Sequence, residues 1–327
     1  SMLGDVNTEN PDTREEAEDY VHDHLPPPPP PPQQNLALTT GIDRFDIHDG
    51  DVVTGDSSTW DPSDSVTGHS GTVNLFLDDT LDESGSLNNI DVVNVDPGLT
   101  GVNDGIVRIN AQNWENIDQL NINETEAPAK VEIVNIQGSL IPNILVNDLE
   151  PGASATFDFD GQDLNASGKT VNIAVREAKG TVSVINDDNL SATETINLKV
   201  QDTAGFESVL EDFVGDGTKV LNIDGGVAGI DFEITGALDA GIETLDASGL
   251  ASNASLNVSE STETMTVTLG AGNDVLYMGD TLFDDTLHGG DGDDELDAIG
   301  NGVFHACHAH AIALFVAVGN VKLGLGT

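Results

Sequence analysis

The residues with the clearest chemical meaning lie near the C-terminal end, where glycines and aspartates alternate. Residues 289–297 read Gly-Gly-Asp-Gly-Asp-Asp-Glu-Leu-Asp and match the nonapeptide G-G-x-G-x-D-x-U-x at every fixed position, with U apolar. The glycines permit a tight, partly left-handed turn that a β-branched residue could not adopt. Such a turn directs backbone carbonyls and carboxylates inward, and hard oxygen ligands of this kind suit Ca²⁺. The motif therefore predicts a calcium-binding turn followed by a short strand at Leu296.

Two neighbouring segments repeat parts of this motif. Residues 269–277 depart from it only at the first glycine, and residues 284–288 keep only its second half, x-D-x-U-x. The aspartates at the sixth position are Asp274, Asp285 and Asp294, which are 11 and 9 residues apart. Loops on one side of such a coil are expected about 18 residues apart, since one coil is two nonapeptides. The 20 residues between Asp274 and Asp294 therefore predict two inserted residues that bulge out.

The candidate calcium ligands and the glycines that shape their turns form one set within residues 267–298. They are Gly270, Gly272, Asp274, Asp285, Gly289, Gly290, Asp291, Gly292, Asp293 and Asp294. Calcium is predicted to remove the repulsion between Asp274, Asp291, Asp293 and Asp294, so that successive coils stack on binding. Leu276, Leu287 and Leu296 are predicted to form the apolar inner ladder of these coils.

The nonapeptides resemble the RTX repeats of bacterial proteins that leave the cell by type I secretion. The match covers residues 267–298. A looser similarity to RTX-bearing surface-layer and adhesin-like proteins, carried by residues 241–250 and 267–274, extends back to residue 36. The resemblance implies a secreted protein with a short calcium β-roll near the C-terminus. It also implies folding outside the cell, because low cytoplasmic calcium keeps such a region competent for export.

The charge of the chain limits its partners. Its 327 residues include 58 acidic and 10 basic ones, which gives a formal net charge of −48. This balance argues against nucleic acid and anionic membranes, which need clustered Lys and Arg. No apolar run reaches the length of a membrane-spanning helix, so membrane insertion is not expected. The single cysteine, Cys307, excludes an intramolecular disulfide.

Residues 36–266 show short β-type runs separated by Asp, Asn and Gly turns. A six-residue pattern recurs, in which apolar residues alternate with polar ones and the fifth position is usually Asn or Asp. Its copies span residues 90–95, 117–122, 131–136, 193–198, 218–223 and 242–247. Most spacings fit one coil of a right-handed parallel β-solenoid, and two further rungs are predicted at residues 170–175 and 181–185. Asn in register predicts stacked amides along the coil, whereas the alternative is a pair of β-sandwich domains.

The two ends of the chain differ from this body in composition. Residues 1–35 combine clustered acids with an uninterrupted proline run at 26–32, which predicts a disordered, acidic and proline-rich linker. Residues 299–327 contain no acid and one base, Lys322. This tail is interpreted as an apolar strand pair that caps the coil, as a C-terminal secretion signal, or as a translated frameshift outside the fold.

No catalytic motif accompanies these features. The chain contains neither H-E-x-x-H nor G-x-S-x-G, so we predict that it is not an enzyme. The sequence predicts a secreted, extracellular, cell-surface protein that binds Ca²⁺ and acts in a bacterial surface layer or similar assembly. Its partners are then further copies of itself or cell-surface polysaccharide. The alternatives are an adhesin module that binds glycans or a receptor, and the noncatalytic portion of a larger RTX secreted hydrolase.

Overall fold

A computed structural model describes most of the chain between residues 32 and 325. The described residues are 32–79, 81, 83–98, 106–125, 129–137, 142–160, 170–186, 194–281, 285–300, 303–306, 309–316 and 322–325. They form strands and no helix, and so contain no helix that is long and apolar enough to cross a membrane. The described residues from Gln34 onward belong to one compact unit.

The strands are short and follow one another with brief turns. In chain order they are β1 (Asn35–Ala37), β2 (Arg44–Ile47), β3 (Val52–Asp56), β4 (Ser65–Gly68), β5 (Thr72–Leu77), β6 (Ser86–Pro97), β7 (Ile106–Asn110), β8 (Trp114–Thr125), β9 (Lys130–Ile136), β10 (Asn143–Leu149), β11 (Ser154–Phe159), β12 (Thr170–Arg176), β13 (Thr181–Asn186), β14 (Thr195–Val200), β15 (Val209–Leu210), β16 (Asp212–Gly215), β17 (Val220–Gly225), β18 (Asp231–Ile234), β19 (Thr244–Leu250), β20 (Asn253–Asn257), β21 (Thr266–Thr268), β22 (Val275–Thr281), β23 (Thr286–His288), β24 (Gly292–Gly300), β25 (Val303–Ala306), β26 (Ala309–Val316) and β27 (Lys322–Leu325).

The strands stack into three parallel sheets that together form a β-solenoid. The first sheet has 16 strands and runs from β1 to β27. The second sheet joins β7, β9, β11, β13 and β16, and the third joins β15, β18, β20, β22, β24 and β26. The paired strands of these sheets are parallel, which confirms the predicted parallel solenoid. A pair of β-sandwich domains is excluded, because a sandwich is built from antiparallel strands.

Alternation of apolar and polar residues explains why these segments form strands. In β14 the side chains of Ile196, Leu198 and Val200 are buried, whereas the residues between them face outward. Each fully buried aliphatic side chain contributes about 1.5–3 kcal/mol relative to exposure. The inward side chains of successive coils pack into one continuous core that extends to Leu296.

The sequence pattern identified strands correctly but did not separate the faces of the solenoid. Residues 131–136 lie in β9 of the second sheet, whereas residues 117–122 lie in β8 of the first, so the spacing of 14 joins two faces of one coil. The predicted rungs at 170–175 and 181–185 are likewise β12 and β13, on different sheets. The face of a strand depends on the path of the preceding turn, which a local pattern does not record.

The predicted stacking of amides is confirmed in two ladders on the first sheet. In the first ladder Asn121 Nδ2 donates to Asn94 Oδ1 at 2.7 Å, and Asn94 Nδ2 donates to Asn74 Oδ1 at 2.8 Å. The second ladder joins Asn222, Asn197 and Asn172 by two hydrogen bonds of 2.8 Å. These bonds lock the register of adjacent coils, since a slip of one residue would move every amide to the opposite face.

The strand pairing continues beyond the acidic part of the chain. β25 pairs with β23, β26 with β24, and β27 with β25, all in parallel. Residues 303–306, 309–316 and 322–325 therefore extend the solenoid. At the other end β1 begins at Asn35, inside the segment predicted as a linker, while residues 1–31 of that segment lie outside the described residues.

Candidate metal centre

Two glycine-rich loops, the glycine loops, stack directly on each other at one corner of the solenoid, where the chain turns from the first sheet to the third. Residues 269–274 connect β21 to β22, and residues 289–291 with the start of β24 make the equivalent turn one coil later. The strands that follow pair in register, with Leu276 opposite Leu296. All three predicted ladder residues, Leu276, Leu287 and Leu296, are buried, as the motif requires.

The glycines allow the two loops to approach backbone to backbone. Gly290 and Gly292 adopt φ of +84° and +136°, where other residues are strained. A Cβ atom on Gly290 would overlap the carbonyl oxygen of Gly270, and one on Gly292 would overlap that of Gly272. The gap is closed by a hydrogen bond of 3.0 Å from the Asp291 backbone N–H to the Gly270 carbonyl. The predicted glycines are therefore required by the stacking itself.

The aspartates of this corner form a ladder that links carboxylates to backbone donors of the previous coil. Asp294 Oδ1 accepts the backbone N–H of Asp274 at 3.1 Å. Asp274 Oδ1 accepts that of Ala254 at 2.7 Å, and Asp274 Oδ2 accepts that of Gly270 at 3.1 Å. Both aspartates are almost fully buried. Asp274 thus has a donor on each oxygen, whereas one oxygen of Asp294 has no donor.

The spacing within the ladder corrects the prediction of two inserted residues. The bonds from Ala254 to Asp274, from Asp274 to Asp294 and from Met265 to Asp285 each span 20 residues. Twenty residues are therefore the regular length of these coils. A register shift after Tyr277 absorbs one extra residue in β22, and Met278 at that position is buried.

Among the described residues of the coils around the glycine loops, two buried carboxylate oxygens have no hydrogen-bond partner. One is Asp294 Oδ2, which occupies space that a Cβ atom on Gly289 would need. The other is Asp285 Oδ2, at the opposite corner, where Asp285 Oδ1 accepts the Met265 backbone N–H at 2.8 Å. An unpartnered buried charge is costly, so each oxygen requires a proton, a water molecule or a cation.

The electrostatics of the glycine loops also favour a cation. Burial raises the pKa of Asp274 to about 6, and the negative charge of Asp294 contributes to this rise. Burial likewise raises the pKa of Asp294, with Asp293 and Asp291 adding repulsion. A bound cation would oppose each of these effects by stabilising the ionised carboxylates.

The structure divides the predicted ligands into an inner and an outer group. Asp274, Asp285 and Asp294 are buried, whereas Asp291 and Asp293 are exposed and act on Asp294 through their charge. Within the described residues, no group of three or more His, Cys, Asp or Glu side chains is placed to hold a metal ion. A site at this corner would therefore need backbone carbonyls as well as carboxylates.

Sequence reasoning missed two aspartates that use the same corner geometry elsewhere. Asp51 Oδ1 accepts the Gln34 backbone N–H at 2.7 Å, and Asp51 Oδ2 accepts that of His48 at 2.9 Å. Asp64 is held in the same way by Asp43 and Asp61. Both stand two residues before a buried valine, which is the x-D-x-U pattern without its glycines. The x-D-x-U pattern therefore also occurs at corners of the N-terminal coils, and the glycine loops differ from those corners in their glycines and in the unpartnered oxygen of Asp294.

The residues at the glycine loops fit a calcium ion. Asp294 offers a buried oxygen without a donor, and the closely stacked turns supply carbonyl groups that a Cβ atom would displace. Carboxylate and carbonyl oxygens are the ligands that Ca²⁺ prefers. Comparison of the chain with family models, with curated proteins and with solved structures gave no match.

Proposed function

We propose that this chain is a secreted, calcium-binding structural protein of a bacterial surface layer or a similar extracellular assembly. In this proposal it folds and self-associates when Ca²⁺ binds. The observation that carries the proposal is the buried, unpartnered Asp294 Oδ2 beside two stacked glycine loops. The net charge of −48 supports it, because such repulsion opposes a compact state unless cations screen it.

The residues of the glycine loops have separate tasks in this proposal. Asp294 would hold the ion with carbonyls of its own and the preceding loop, and Asp274 would fix the position of that preceding loop. Bound Ca²⁺ supplies positive charge and oxygen coordination to a buried carboxylate. Gly290 and Gly292 allow the loops to stack. The buried side chains of Leu276 and Leu296 anchor the strands that follow in the core. Folding of these coils and metal binding would then be one coupled event.

The test is limited proteolysis and circular dichroism of the full chain with calcium and with chelator. We expect cleavage around Gly289 to be suppressed by calcium, while the coils between β3 and β17 resist protease in both conditions. Magnesium is the matched control ion, because it demands a smaller octahedral site and should protect weakly. Equal protection of Gly289 with calcium and with chelator would rule out the proposal.

Self-association needs a measurement of its own. Static light scattering of the same samples should show larger particles in millimolar calcium and monomers in chelator. If folding depends on calcium but scattering does not change, the result would support the metal site and rule out calcium-dependent assembly.

A further inference from the structure

A groove of about 660 Å³ crosses the outer face of the first sheet, away from the glycine loops. Six amide side chains line it, one of which is Gln201. The other five form a column: Gln119, Asn143, Asn172, Asn197 and Asn222. They belong to β8, β10, β12, β14 and β17, which are consecutive neighbours in the sheet. At about 4.8 Å between strands, five strands span about 19 Å along the solenoid. The groove is thus as long as an extended oligosaccharide.

The amides stand in one column, with one side chain in each coil. Gln119 pairs with Asn143, Asn172 with Asn197, and Asn197 with Asn222. Asn143 and Asn172 directly precede the paired residues Ile144 and Ile173, so they too are opposite each other. The groove therefore presents the same kind of group once per coil.

The ladder leaves hydrogen-bonding capacity unused. Asn197 donates one N–H to Asn172 and accepts one from Asn222. An amide has two donors and two acceptor lone pairs, so Asn197 keeps one donor and one lone pair. Asn143 and Asn172 are exposed, and Asn197 and Asn222 are partly exposed. A ligand along the groove would meet a donor and an acceptor at each coil, which is what a row of hydroxyl groups requires.

The charge of the groove indicates which glycans fit. Among the lining residues described, Lys199 and Asp224 carry opposite charges, and the others are uncharged. The groove is neutral in a chain whose net charge is −48, and that field repels polyanions. We propose that this groove binds an uncharged polysaccharide, aligned with the solenoid axis and held by the amide column. The inference is independent of calcium binding.

The experiment uses the full chain on an array of uncharged and acidic oligosaccharides, followed by calorimetric titration of the best ligand. We expect uncharged glycans to bind and Asn197→Ala to weaken binding at least tenfold. Asn143→Leu, at an exposed position, should weaken it as well and serves if the first variant folds poorly. The matched control is Asn94→Ala, which breaks the other amide ladder outside the groove.

The outcomes separate this inference from the calcium proposal. Binding with and without chelator supports the groove even if calcium has no effect on folding. Absence of any uncharged ligand, a preference for acidic glycans, or equal weakening by Asn94→Ala and Asn197→Ala would overturn it. Thermal melts of the three variants show whether the two ladders contribute equally to stability.

Discussion

The corner at Asp51 and the corner at Asp294 share a sequence pattern but have opposite electrostatics. At Asp51, backbone N–H groups of His48 and Gln34 bind both carboxylate oxygens, and these bonds hold its pKa below the ordinary value. At Asp294, one oxygen has a backbone donor and the other has none, and burial raises its pKa. The number of donors within reach thus decides whether a buried corner aspartate is satisfied by the protein alone.

This difference divides the solenoid into two regions. The corners of the N-terminal coils supply their own donors, so these coils should fold without a metal ion. In the coils that contain the glycine loops, the buried carboxylate oxygens outnumber the backbone N–H groups that bind them, since Asp294 Oδ2 has no donor. If this comparison is correct, changes at the two corners should affect stability in different ways.

The largest effect is expected from Gly292→Val. The Cβ atom would overlap the Gly272 carbonyl oxygen, and φ of +136° disfavours a β-branched residue, so the loops should separate. We expect a loss of more than about 3 kcal/mol, typical of severe packing errors, together with loss of calcium-linked protection. Urea unfolding with and without calcium measures both.

Gly205→Val is the matched control, because Gly205 also has positive φ, of +92°, but no atom lies within 4 Å of a Cβ atom there. It should cost only the backbone strain, about 1–3 kcal/mol, and leave calcium dependence intact. Equal effects of the two variants would mean that the glycine loops do not pack as closely as described.

The parts of the fold that follow from local patterns could be predicted from the sequence. Alternation identifies β14, and the recurrence of Asn at 94 and 121 predicts the ladder that the structure contains. The donors of Asp51 could not be predicted, because Gln34 is 17 residues away and meets it only through the register of β1 and β3. The 20-residue coils were also missed, since the motif itself implies a shorter period.

The candidate site was predictable in its residues but not in their roles. The motif named Asp274 and Asp294 together, and the structure stacks them. It did not show that Asp274 has donors on both oxygens while Asp294 retains a free one, because those donors come from Ala254 and Gly270. The apolar tail was ambiguous for a similar reason, since its pairing through β25 to β27 depends on backbone groups that composition does not describe.

The second largest effect is expected at the aspartates themselves. Asp294→Ala should remove about 1–3 kcal/mol of calcium-linked stability, the scale for losing a charged partner. Asp297→Ala removes the same charge one residue after buried Leu296, on the outer side of the strand, and should stay within about 0.5 kcal/mol. Calorimetric calcium titration of both variants gives the comparison.

Asp51→Ala tests the other corner. It should lower stability equally with calcium and with chelator, because its partners are backbone donors. A diffuse counterion effect would instead make all three variants respond alike to calcium.

A smaller effect is expected from pH in the presence of chelator. The pKa of Asp274 is about 6 in the folded protein, above its ordinary 3.8, so folding favours the protonated form. Its stabilising contribution is therefore complete below pH 3.8 and is lost as pH rises through about 6. Relative to Asp274→Asn, the wild-type protein should become less stable over this range.

Calcium should weaken or reverse that pH dependence, because a cation favours the ionised carboxylate. The measurement is the difference in unfolding midpoint between the two proteins from pH 4 to 7, which cancels the general repulsion of the acidic chain. A difference that does not change with pH would show that Asp274 titrates normally.

The smallest effect is expected from removing residues 1–31. This segment carries clustered acids and most of the proline run but no periodic apolar residues, so it cannot bury enough surface to offset the entropy of ordering. The thermal midpoint should stay within about 2 °C of the full chain.

A deletion of residues 1–38 is the matched control, because it also removes β1, the Gln34 donor of Asp51 and buried Leu38. Because that deletion leaves Asp51 Oδ1 without its donor, the thermal midpoint of the shortened protein should fall by more than about 4 °C. Differential scanning calorimetry of both truncations decides whether the solenoid begins at Gln34; a large fall already at residue 31 would place stabilising contacts before it.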